Sequence, residues 1–177
     1  MHEREPASGN KLLSAAAAII AVLAALGTLF AHHRSILALA AKNKAILTQT
    51  RATDLYTAYE SKQVRYNFYR VLLASQLVRN ANVNKQLKVA ADHENASAAA
   101  TLEKARGFEN EAQRDDERSE AILRSYEFLQ FATTLFEVSI VLVSISALAG
   151  ARVFVPLGCT LSGVGIVVFV IGLLRAP

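Results

Sequence analysis

Apolar residues gather in three blocks, 12–31, 131–150 and 153–174, and Glu137 is the one charged residue inside them. A helix needs about 20 mostly apolar residues to cross the hydrocarbon core of a bilayer. Each block has that length, so the pattern predicts three membrane helices. The first block is longer than the roughly 7–15-residue core of a signal peptide. It ends at Ala31 with no A-x-A cleavage pattern, so it reads as a retained span that follows a short tail, 1–11.

Between the first two blocks, residues 32–130 contain no proline, and Gly107 is their single glycine. Ala, Leu, Lys, Glu, Arg and Gln dominate, all good helix formers, and no run shows the period-2 alternation of a strand. One span leads into this segment and one leads out, so both its ends must return to the same membrane face. The expected fold is all-α: three transmembrane helices with a long antiparallel helical hairpin between the first and second. The turn is expected within 79–95. Asn80, Asn82 and Asn84 favour 79–85, because asparagine competes for backbone hydrogen bonds and suits turns. That position leaves equal arms, 34–79 and 85–130, whereas a turn at 92–95 does not.

Charge separates the two arms. Arm 34–79 carries eight Lys/Arg and two Asp/Glu, net +6, and arm 85–130 carries seven and ten, net −3. The acidic stretch 109–120 would run back beside the basic arm. Single surface pairs are worth about 0–1 kcal/mol, but a series of them sets orientation and partner choice. On the first arm a helical face runs through Leu55 or Tyr56, then Tyr59, Gln63, Tyr66, Arg70 and Leu73. The second arm offers a sparser stripe of Leu102, Ala105, Ala112, Leu123 and Tyr126. Neither is a strong Leu/Ile heptad, which motivates an expectation of self-association, as a homo-oligomer or within a larger complex.

The stretch 54–70 holds four tyrosines, one phenylalanine and five charges. Asp54 and Glu60 lie six residues apart, about 600° around a helix, and so point to different sides. No Ser-His-Asp or Cys-His set, phosphate-cradling glycine loop or HExxH motif occurs. The expectation is therefore no enzyme, no cofactor, no metal site and no small-molecule substrate. Nucleic acid is not expected either, because the acidic arm offsets the basic one. Asp54, Tyr56, Tyr59, Lys62, Arg65 and Tyr66 are instead expected to contact protein, since aromatics with a polar tip suit helix interfaces.

The stretch "NKAILTQTRATDLYTAYESKQVR" resembles the signature of a bacterial inner-membrane family known as domain of unknown function 4337. Asn43, Ala45, Asp54, Tyr59 and Lys62 match its pattern. Tyr56 stands where the family has Trp, Glu60 where it has Gln, Ser61 where it has Ala, and Arg65 where it has Lys. "LFEVSIVLVSISAL" is similar to the family's second span, with Glu137 on its Gln. The resemblance runs from about Lys11 onward. It implies three spans, a helical insert, an inner-membrane location and no assigned activity.

Small residues recur along the spans: Ala17, Ala21 and Ala25; Ala132, Ser139 and Ser146; Gly158, Gly165 and Gly172. Small side chains let helix backbones approach in lipid. Glu137 would sit about 9 Å inside its span, and an ionisable group there is a functional-site hypothesis. His32, His33 and Arg34 are its expected partners. A small transport or channel component using Glu137 is the alternative to a structural or accessory role. Cys159, the single cysteine, has no intramolecular disulfide partner. Arg34, Lys42, Lys44, Arg118, Arg124 and Arg175 outnumber Arg4, Lys11 and Arg152 across the membrane. The positive-inside rule then places the hairpin and C-terminus in the cytoplasm.

Overall fold

A computed structural model of the chain describes residues 7–75, 79–149 and 153–175. Arg4, Gly150 and the short connection at Ala151 and Arg152 lie outside them. Three α-helices and no strand occur among the described residues: α1 (Ala7–Ala74), α2 (Ala81–Ala149) and α3 (Phe154–Leu174). All three are long and apolar enough to cross a membrane. The first two run on without a break, for 68 and 69 residues. Proline is absent from both, and their glycines, Gly9, Gly27 and Gly107, are isolated. An isolated glycine weakens a helix by only about 1 kcal/mol. In α3, Pro156 occupies the first turn, where its missing N–H has no partner to lose.

Asn80 starts α2. Its side-chain oxygen accepts from Asn82 N–H at 2.9 Å, and its carbonyl accepts from Asn84 N–H at 3.0 Å. This is the arrangement of an N-cap, which satisfies amides that a helix start leaves open. The asparagine cluster thus supplies a cap. Asn82 and Asn84 lie in the first turn of α2, and residues 92–95 lie in its interior.

The chain forms two compact units. One comprises the chain up to Ala40 and from Arg118 onward, and the other is Ala41–Glu117.

In the first unit, Ile20, Ala24, Ala132, Phe136 and Val143 form the core, with Leu13, Ala17, Leu23, Ile140, Val168 and Phe169 packed around it. Glycine permits the closest approaches. A Cβ on Gly165 would lie 2.8 Å from the Phe136 ring, and one on Gly158 would lie 2.9 Å from Val143 Cγ2. Ser125 Oγ donates to Gly172 O at 2.7 Å, one of the last carbonyls of α3 that a helix leaves unbonded. Ser119 Oγ donates to Ala38 O at 2.9 Å. Ser139, Ser146, Gly158, Gly165 and Gly172 are all buried.

In the second unit the seam is made of small residues. Ala45, Thr48 and Ala52 of α1 and Ala91, Ala98, Thr101, Ala105 and Ala112 of α2 are buried. The buried alanines recur every seven residues, a repeat that keeps one helix face on its neighbour. The expected seams hold in part: Ala105 and Ala112 are buried, whereas Arg70 and, in the first unit, Leu123 are exposed, and Tyr56, Tyr59, Gln63, Tyr66 and Leu73 are only half-buried. The alanine stripe of the first span is corrected too. Ala21 and Ala25 are exposed, and the inward face carries Ala24 and Ala31, seven apart. Packing follows the seven-residue repeat because it tracks the neighbouring helix, while a repeat of four drifts around α1.

Candidate interaction surface on the paired helices

Tyr56, Lys62 and Arg65 of the 54–70 stretch reach across to α2, within the second unit. Tyr56 Oη donates to Glu109 Oε2 at 2.6 Å. Lys62 Nζ donates to Ser97 Oγ and to Thr101 Oγ1, both at 2.7 Å. Arg65 meets Glu94 through two nitrogen–oxygen contacts of 3.2 and 3.4 Å, a fork that fixes geometry as well as charge. Near the start of this unit Lys44 Nζ lies 2.8 Å from Asp115 Oδ2 and 3.2 Å from Glu111 Oε1. Lys42 pairs with Asp116. As these partners ascend α1 from 42 to 65, they descend α2 from 116 to 94.

The contacts have electrostatic consequences. Hydrogen bonding to Asp115, then to Glu111, raises the Lys44 pKa above its ordinary value. The Glu109 carboxylate, with partial burial adding to it, raises that of the Tyr56 phenol. Asp115 stands three positions from buried Ala112 on the inner face of α2, and its side chain is only 15% exposed. Lys44 therefore supplies the countercharge that a carboxylate at a seam requires.

Tyr59 and Tyr66 are half-buried, and Asp54 is exposed. The Arg70 guanidinium carbon sits 5.6 Å from the Tyr66 ring centroid, within cation–π range. Of the acceptors on α2, Glu109 falls in the acidic stretch 109–120 that the sequence sets beside the basic arm, whereas Glu94, Ser97 and Thr101 carry no such signal. The charge imbalance of the arms pointed to acidic partners without fixing the register.

An open groove of about 380 Å³ lies beside the same seam, lined by Lys42, Ala45, Ile46, Gln49, Glu109, Ala112, Gln113 and Asp116. Among the described residues no group of three or more His, Cys, Asp or Glu could hold a metal ion.

Glu137 lies in the first unit and is exposed. The expected pairing with His32, His33 and Arg34 is corrected. Gly27 meets Thr133, and Ala38 meets Ser119. Those contacts put His32 level with residues near 127, some ten positions and about 15 Å from Glu137 along the helix.

The fold defines a class: an all-helical arrangement of the described residues, with three helices long and apolar enough to cross a membrane. Within that class the chain belongs to the family described as Domain of unknown function (DUF4337), whose model matches residues 10–175. No curated protein and no solved structure matches it.

Proposed function

We propose that this chain is a multi-pass protein of the bacterial inner membrane, with a structural or accessory role. Its three apolar helices anchor an antiparallel helical hairpin, 32–130, which lies with the C-terminus in the cytoplasm. The hairpin self-associates or holds a partner at the membrane. The carrying observation is the inverse-order set of cross-pairs within Ala41–Glu117, from Lys42–Asp116 to Arg65–Glu94. These contacts use up one face of each helix, and the alanine seam beneath them buries little apolar surface. Outward-facing apolar residues remain on α1, with Val64, Phe68 and Val71 each more than half exposed at i, i+4 and i+7. Such a face supports contact with another helix. No catalytic step is proposed.

The test is to purify the full chain from native membranes with and without Val64→Glu and Phe68→Glu. The reading predicts loss of the associated species in the charged variants. An unchanged particle with no co-purifying protein in either sample would remove it. Topology is tested separately, by a reporter fused after Pro177 that works only when exported and is expected to stay inactive.

The alternative, a small transport or channel component, draws on Glu137. Its exposure on α2 means that one chain alone does not enclose it, so this reading requires an assembly. Conductance of reconstituted vesicles, lost in Glu137→Gln, would favour it.

A further inference from the structure

The outward face of α2 in the first unit carries a polar stripe into the apolar block. Glu127, Gln130, Thr134 and Glu137 are all exposed, and their positions fall within about 80° of helical arc. The stripe is opposite the packed side, where Leu129, Ala132 and Phe136 are fully buried. Val138, Val141 and Ile145 continue the exposed face deeper into the block, at 43%, 55% and 42% exposure.

A carboxyl turned outward within hydrocarbon is costly unless something hydrogen-bonds it. Among the described residues none supplies such a group. Glu137 lies level with about Val164 of α3, because Phe136 meets Gly165 and Ser139 meets Gly158. It lies level with about Leu23 of α1, because Thr133 meets Gly27. The polar side chains nearest those levels are Ser162, which is buried, and Thr28, which donates to Ala24 O at 3.0 Å. On α2 itself, Thr133 and Ser139 donate to backbone carbonyls four residues back.

We propose that Gln130, Thr134 and Glu137 form the contact between two copies of this chain inside the membrane, related by a twofold axis along the membrane normal. This rests on the membrane reading above. All copies insert with one topology, so each residue keeps its depth in every copy. A group that reaches Glu137 from a second copy must lie at its level, and the exposed polar group at that level is the second Glu137. The stripe is self-complementary. A carboxamide both donates and accepts, so Gln130 can pair with its twin. Two carboxyl groups that share one proton, or hold two, can likewise hydrogen-bond each other. Val141 and Ile145 supply the apolar half of the same contact.

The experiment uses the full chain in native membranes, in a Cys159→Ser background with single cysteines introduced at three exposed positions. Thr134→Cys and Val141→Cys lie on the stripe, and Val167→Cys lies on α3. Cross-linked dimer from 134 and 141 is expected to exceed that from 167 by about tenfold. Glu137→Leu in the Val141→Cys chain should cut cross-linking about tenfold, and Glu137→Gln should hold it within about twofold. Equal yields from all three positions, no dimer at 134 and 141, or indifference to Glu137→Leu would overturn the contact. Alkaline carbonate extraction separates the two readings. A chain that stays in the membrane pellet without stripe cross-links loses only this contact, and a chain released by carbonate loses the membrane reading with it.

Discussion

The Tyr56 hydroxyl donates a 2.6 Å hydrogen bond to Glu109 Oε2, joining α1 to α2 across 53 residues of sequence. Its partner is a carboxylate, so ionising the phenol replaces a hydrogen bond with a repulsion. The folded pKa is raised above 10.0 for this reason, and that of Lys44 above 10.5 by Asp115 and Glu111. For each group the folded value exceeds the unfolded one. The stabilisation is therefore complete below the unfolded value and is lost as pH rises through the folded value. The pair of helices is expected to loosen above about pH 10. Tyrosinate absorbance should show a late-titrating component that is missing in Tyr56→Phe.

Ala52 and Ala98 are fully buried. A leucine at either position adds three carbons where the structure has room for a methyl. Overpacking of this kind costs about 1–3 kcal/mol. Ala100 is exposed, and Ala100→Leu should fall within about 0.5 kcal/mol of the parent. Unfolding in detergent followed by circular dichroism would rank the three.

Two glycines of α3 make a matched pair. A Cβ on Gly165 would stand 2.8 Å from the buried Phe136 ring, while one on Gly163 would meet nothing within 4 Å. Gly165→Ala is expected to destabilise by about 1–3 kcal/mol. Gly163→Ala should stabilise by up to about 1 kcal/mol, through helix propensity. Thermal denaturation of the purified proteins checks both signs.

Arg65 and Glu94 form a forked pair in which the arginine side chain is 52% exposed and the glutamate 19%. A double-mutant cycle with alanine should return a coupling of about 0.2–1 kcal/mol. Added salt should reduce it, because the arginine end faces solvent.

The helices were legible in the sequence because their cause is local. Apolar block length and the absence of proline from 7–149 suffice to carry two helices through 68 and 69 residues. The glycines at 158, 165 and 172 were legible for a related reason, since a seven-residue spacing of the smallest side chain marks a helix face wherever it occurs. The seam was harder to see. The tyrosines of 54–70 are large and distinctive in the sequence, whereas the buried positions are Ala45, Ala52, Ala91, Ala98, Ala105 and Ala112. Their signal was present as alanine every seventh residue, but alanine is common enough to pass as background. Register was not legible. Whether Glu109 meets Tyr56 or a residue one turn away depends on how α2 leaves its cap at Asn80, a long-range outcome that no local pattern encodes.

The alanine repeat limits which substitutions this protein can accept. At a leucine seam a smaller or differently branched residue often serves, because the neighbours can close around it. At Ala45, Ala52, Ala98 and Ala105 nearly every alternative is larger and must push two backbones apart, and glycine costs the helix about 1 kcal/mol. Positions that bury the fewest atoms are therefore those with the least freedom to vary, and a random substitution is tolerated more readily at the tyrosines than at the methyl groups between the helices.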